Sequence, residues 1–208
     1  MKRAALAALL LAQSVAASAS AIIGRVVDPE GRGVADAVVF IEAPAAGAAK
    51  ARAVMDQIDK TFVPGVLPIA VGTQVDFPNR DQIRHHVYSF SRAKRFELPL
   101  YKGEEAPPVL FDKPGVVKIG CNIHDWMSAI ILVLPNAHYA VTDADGRFRL
   151  AGIEPGTHAV AAWHAQSREK TGDLMQRVQV GAGDVELEFK LSLAPARARP
   201  ATRGARWE

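Results

Sequence analysis

Apolar positions along this chain recur at a spacing of two rather than of three and four. In residues 116–121, Val-Val-Lys-Ile-Gly-Cys, that spacing puts Val117, Ile119 and Cys121 on one face and turns Lys118 to the other, the alternation of a half-buried strand. The run Ile-Ile-Leu-Val-Leu at 130–134 predicts a second core strand, and Val-Tyr-Ser-Phe at 87–90 a third. Two further β-rich runs flank residues 28–31, Asp-Pro-Glu-Gly, whose Pro and Gly mark a turn. Others lie at 159–163, 178–180 and 185–193, and no long amphipathic helix is evident. The pattern predicts an all-β protein. Residues 91–111, with their charges and the pair Pro107 and Pro108, read as a long excursion between strands with room for a short helical turn.

Between the strands at 116–121 and 130–134 stands Gly-Cys-Asn-Ile-His-Asp-Trp-Met, residues 120–127, holding the only cysteine of the chain. Cys121, His124 and Met127 offer a thiolate, an imidazole and a thioether, the soft and borderline donors that copper favours. One more histidine would complete a His2Cys set with a weak axial Met, the donor set of a type 1 (blue) copper centre. His85 and His86 are the nearby candidates. Strand parity does not choose between them, because both faces of the strand that follows carry apolar residues.

The stretch 71–79, Val-Gly-Thr-Gln-Val-Asp-Phe-Pro-Asn, followed by Asp81 and by His85, His86 and Val87, resembles the plastocyanin and amicyanin branch of the cupredoxins. In that family a strand ending in Asn is followed six residues later by the first copper histidine, a position that falls on His85 when counted from Asn79. The usual family order is His-Asn-Val, so His86 stands where an Asn normally ties this strand to the cysteine loop. The resemblance thus implies His85, Cys121, His124 and Met127 as copper ligands, with His86 and Asn79 as alternative or supporting groups. The two residues between His124 and Met127 resemble the short amicyanin loop. The likeness covers about residues 55–134 and begins with Phe-Val-Pro at 62–64, which resembles the first strand of the cupredoxin Greek-key sandwich.

Lys2 and Arg3 precede an apolar run at 4–11, and the small residues at 17–21 offer A-x-A cleavage sites, the pattern of a signal peptide over residues 1–21. The run is short of the ~20 residues a membrane span needs, so an exported, periplasmic chain with no transmembrane segment in its mature form is expected. Export changes the weight of the cysteine. An oxidising compartment uses cysteines in pairs, and a single one beside His124 and Met127 reads as a metal ligand. The formal net charge is +3. Most of that excess sits in the leader and in a tail, 194–208, with four arginines against Glu208, so the body is near neutral and nucleic-acid binding is not indicated. The tail, rich in Ala, Arg and Pro, is expected to be disordered.

Residues 22–41 also resemble the opening of carboxypeptidase-regulatory-like (transthyretin-like) domains, whose later pieces, Thr-Asp-x-x-Gly-x-Phe and a Pro-Gly turn, appear only at 142–148 and 155–156. The implied organisation is a split transthyretin-like β-sandwich, 22–44 and 136–193, with a cupredoxin domain inserted at 50–134 and an Ala-rich linker at 43–53. Each module has roughly 80 residues, enough for a small sandwich. Asp143, Asp145 and Gly146 are read as a turn rather than a calcium loop. His138, His158 and His164 form no H-x-H pair and are read as structural.

The functional expectation is a non-enzymatic periplasmic protein with one type 1 copper per chain, carrying single electrons. The alternative is a copper module for storage, delivery or assembly. Ile123 and Trp126 are candidate docking residues around His124. The architecture resembles exported bacterial proteins described as methylamine-utilisation-like and plastocyanin-like, which implies a c-type cytochrome or a periplasmic dehydrogenase as partner.

Overall fold

The structure is a computed structural model and describes residues 20–44 and 51–195. Residues 1–19 of the expected leader and the tail from 196 lie outside the described residues, as does the middle of the Ala-rich linker. Within the described residues the chain is all-β. The strands are β1 (Ser20–Val27), β2 (Val38–Ile41), β3 (Arg52–Val54), β4 (Asp56–Ile58), β5 (Thr61–Val63), β6 (Val66–Ala70) and β7 (Thr73–Asp76). They continue with β8 (His85–Phe90), β9 (Arg95–Tyr101), β10 (Val109–Phe111), β11 (Gly115–Cys121) and β12 (His124–Leu134). The last are β13 (Tyr139–Val141), β14 (Arg147–Ile153), β15 (Gly156–Trp163), β16 (Met175–Val180) and β17 (Val185–Lys190), with one 3-10 turn at Thr171–Leu174.

Two sheets are built from both ends of the described chain. In the first, in the order β14-β1-β17, β1 runs antiparallel to β14 and parallel to β17. In the second, ordered β13-β2-β15-β16, β2 lies between β13 and β15. Their inner faces share one core that includes Ile22, Val39, Phe148, Val160, Val178 and Phe189. Residues before 42 and after 138 therefore bury their apolar surface against each other, across the intervening stretch of chain.

That intervening stretch forms its own layers. A five-stranded sheet, β6-β12-β11-β8-β9, faces a three-stranded sheet, β10-β7-β3, and β4 and β5 form a separate hairpin. Between them lies a second core including Phe62, Val75, Val87, Phe111, Val117 and Ile131. A third, smaller cluster joins the two bodies: Val38, Phe40 and Ala161 from one pack against Leu132 and Leu134 of the other. All five are buried, and each removes about 1 to 3 kcal/mol worth of apolar side chain from water.

The alternation in 116–121 forms as the sequence predicts, with Val117, Ile119 and Cys121 buried and Val116 and Lys118 exposed. Three boundaries differ from the sequence reading. β1 begins at Ser20, inside the expected leader, and Ala21 donates its backbone N–H to Asp184. The linker ends before Arg52, because β3 pairs with β7 there. The excursion at 91–111 carries two strands, β9 and β10. β9 is an edge strand that pairs only with β8 and buries only Leu98 and Tyr101, so its charged outer positions hide the alternation; Pro99 is tolerated at such an edge.

Candidate metal centre

The cysteine motif is less of a loop than its sequence suggests. β11 ends on Cys121 and β12 begins on His124, and the two residues pair across a turn made by Asn122 and Ile123. Gly120 pairs with Ser128, so Asp125, Trp126 and Met127 form a bulge on the β12 side. The bulge re-aims successive side chains. Asp125 and Trp126 go outward while Met127 turns into the core, where it is 2% exposed.

β8 brings the third donor. His85 faces inward from the first position of the strand and is fully buried, and its Nδ1 lies 3.9 Å from Cys121 Sγ. His124 Nδ1 lies 3.7 Å from the same sulfur. One donor atom from each of His85, Cys121 and His124 lies within 4.8 Å of the others. A point equidistant from three atoms so spaced is roughly 2.2 to 2.5 Å from each, close to metal–nitrogen and metal–sulfur bond lengths. Two imidazoles and a buried thiol at that spacing fit a metal ion. The rings of His85 and His124 meet edge to face, with centroids 5.1 Å apart.

The electrostatics match a neutral His124. Burial, then the neighbouring His85 and Lys60, hold its pKa below the ordinary histidine value of 6.5. Beyond His85 lies Asp81, whose Oδ2 accepts a hydrogen bond from His85 Nε2 at 2.7 Å. Burial works against the charge on Asp81, but hydrogen bonds from His85 and from the backbone of Lys60 and Asp59 outweigh it and hold the carboxyl below its ordinary range. Tyr101, buried nearby, is pushed up to about 12, mainly by burial; its hydroxyl donates to the Phe77 carbonyl and accepts from Gln57 Nε2.

The other residues singled out in the sequence fall around this cluster. His86 points to the opposite face of β8, where its Nε2 bonds Glu97 at 2.9 Å while Nδ1 is buried without a partner. It therefore does not replace the expected Asn as a tie to the cysteine loop. Asn79 serves its own loop: Nδ2 donates to the carbonyls of Ile83 and Tyr101, and Oδ1 accepts from the Asp81 amide. Ile123 and Trp126 are exposed at the same end, and the Trp126 ring stands 5.4 Å from that of His124. Asp143 Oδ1 accepts from the Asp145 and Arg147 amides, the turn expected there. Asp81 stood in the sequence motif without a role. Its four-residue offset from His85 was the available signal, and only the folded loop makes that offset a hydrogen bond.

Comparisons with known proteins add the following. No family model matches the chain, and no curated protein matches it. Among solved structures, a purple cupredoxin from Nitrosopumilus maritimus overlaps 41% of this chain and 100% of its own, with 24% identity and a TM-score of 0.35. A proline-to-glycine variant of amicyanin in its reduced Cu(I) form overlaps 46% of this chain and 98% of its own, with 24% identity and a TM-score of 0.37. An oxidised methionine-to-leucine variant of amicyanin overlaps the same shares, with 22% identity and a TM-score of 0.37. What the chain itself establishes is an all-β protein in which His85, Cys121 and His124 form a cluster able to hold a metal ion.

Proposed function

We propose that this chain is an exported copper protein that carries single electrons between redox partners. The observation that carries the reading is the donor set itself, one thiol and two imidazoles brought together on β8 and the β11–β12 hairpin. Copper bound there would supply one-electron redox chemistry. His85, Cys121 and His124 would be its main ligands, and buried Met127 would add a thioether, the soft and borderline donors that suit copper. The chain keeps water from the sulfur, since Cys121 is 3% exposed. It also fixes the donors on paired strands, which resists rearrangement when the metal charge changes. His124 is the half-buried member, and Ile123 and Trp126 beside it offer an apolar surface to a periplasmic partner such as a c-type cytochrome or a dehydrogenase. Burial of His85 and Cys121 weighs against the alternative of copper hand-over, which needs donors a recipient can reach.

The domain reading that accompanies this is a cupredoxin module inserted into a transthyretin-like sandwich, supported by the two separate cores and by the pairing of β1 with β14 and β17. The export reading is cleavage of the leader after Ala19, which leaves β1 whole from Ser20.

The test is to purify the exported protein, determine its N-terminal mass, add Cu(II) and record visible and EPR spectra of the wild type and of Cys121→Ser, His85→Ala and His86→Ala. An intense visible thiolate-to-copper band with narrow copper hyperfine splitting, lost in the first two variants and kept in the third, is the expected result. A colourless protein, or tetragonal copper indifferent to Cys121→Ser, would remove the electron-carrier reading.

A further inference from the structure

We propose that Asp81 is a positioning residue for this metal centre: its carboxylate holds the proton of His85 on Nε2 and thereby presents Nδ1, unprotonated, to the metal. The inference rests on the proposed metal site but not on the identity or redox chemistry of the ion.

A neutral imidazole carries one N–H and one lone pair, and its surroundings decide which nitrogen has which. An ionised carboxylate only accepts. Asp81 Oδ2 lies 2.7 Å from His85 Nε2, so that nitrogen is the donor. Nδ1 then directs its lone pair toward the side of Cys121 Sγ, 3.9 Å away. In the other tautomer the Nε2 lone pair would face a carboxylate oxygen and Nδ1–H would point into the donor cluster. The first contact is unfavourable for a ring with no exposure to water, and the second would leave Nδ1 no lone pair for a metal.

The carboxylate is itself fixed from two sides. Oδ1 accepts from the Asp59 amide at 2.7 Å and Oδ2 from the Lys60 amide at 2.8 Å. These two residues form the turn between β4 and β5, and both adopt left-handed backbone conformations, with φ of 51° and 57°. Such conformations are uncommon away from glycine, and an acceptor that takes both amides favours them. On the other side the Asp81 amide is held by Asn79 Oδ1, and Asn79 Nδ2 by the carbonyls of Ile83 and Tyr101. The chain runs from the β4–β5 turn through Asp81 to His85, so the orientation of the buried ligand is set before any metal arrives. Partners of this kind typically contribute 10- to 100-fold to metal affinity.

The experiment uses the metal-free full-length mature protein. The 15N chemical shifts of the His85 ring report its tautomer directly, and competition titrations give the Cu(I) and Cu(II) dissociation constants. The wild type is expected to show Nε2–H. In Asp81→Asn one oxygen cannot serve the Asp59 amide, the Lys60 amide and His85 together, so a mixture of tautomers and a 10- to 100-fold loss of copper affinity are expected. A control, Asp59→Gly with Lys60→Gly, keeps the turn amides and should preserve both tautomer and affinity. A wild type already in the Nδ1–H form overturns the proposal even if Asp81→Asn fails to fold. So does a folded Asp81→Asn that keeps the wild-type tautomer and affinity, or a glycine control that loses both. A wild type that binds copper without blue colour sinks the electron-carrier reading and leaves the tautomer and affinity measurements to judge Asp81.

Discussion

At the scale of single residues, the histidines of this chain are set apart by what their rings touch. His124 is held below its ordinary pKa chiefly by burial, with His85 and Lys60 adding to the effect, and half-buried His164 is lowered by burial too. A depressed histidine pKa means that the unfolded chain takes up protons first as pH falls. The stability linked to these two groups is therefore complete above 6.5 and is lost as pH drops from 6.5 toward their folded values. Urea unfolding of the metal-free protein should give a lower free energy at pH 5 than at pH 8, and His164→Gln should reduce that difference. A profile flat between these pH values would contradict the assignment. His85 and His86 show what parity could and could not reveal. Cys121 was placed inward by counting, because Lys118 marks the wet face of β11. On β8 the outer face carries His86, Tyr88 and Phe90, rings spaced 5.5 and 5.2 Å apart, and Phe90 is 77% exposed. Both faces of that strand therefore read as apolar, and only the packed sheet separates the two histidines.

At the scale of elements, the approach of β8 to β11 is set by Gly120. A Cβ there would lie 3.2 Å from the Tyr88 ring and hydroxyl, tighter than ordinary packing, immediately before the cysteine. Gly120→Ala should destabilise the protein by about 1 to 3 kcal/mol through overpacking. Adding Tyr88→Ala should recover part of that loss relative to Tyr88→Ala alone, as a double-mutant cycle would record. Additive effects would show that the ring is not what the new methyl meets. The hairpin from β11 to β12 was readable as an element, since two apolar runs flank the Cys-x-x-His-x-x-Met segment. The bulge was not readable. The three extra residues on β12 are fixed by the pairing of Gly120 with Ser128 and of Cys121 with His124, a relation between strands that no spacing along one strand contains.

At the scale of the whole molecule, the chain crosses between the bodies after β2 and after β12, and among the described residues the Asn136 side chain ties these two segments together. Asn136 is buried; its Nδ2 donates to the Ile41 carbonyl at 2.9 Å, and its Oδ1 accepts from the His138 amide. It thus links the segment leaving β2 to the segment leaving β12. Asn136→Ala would strand the Ile41 carbonyl in a buried site and free the part-buried His138 amide, and should cost about 1 to 3 kcal/mol. Copper affinity should change less than twofold, because the donors lie in the other core. An unchanged unfolding midpoint would show that water replaces both bonds without penalty. The leucines of the joining cluster, Leu132 and Leu134, belong to the same strand that starts at His124, so the strand carrying a candidate ligand also carries the contact between bodies.

The sequence by itself determined the all-β class, the inward face of Cys121 and the grouping of Cys121, His124 and Met127, because each follows from periodicity or from donors close together in the chain. Tertiary structure decided which of two adjacent histidines joins the sulfur, and it gave Asp81 a partner. It also made strands of β9 and β10 and set Ser20 within β1. In each of these cases the deciding contact is a hydrogen bond or a packed face between segments distant in the chain. A one-dimensional pattern records which residues favour burial, but not which other segment comes to bury them.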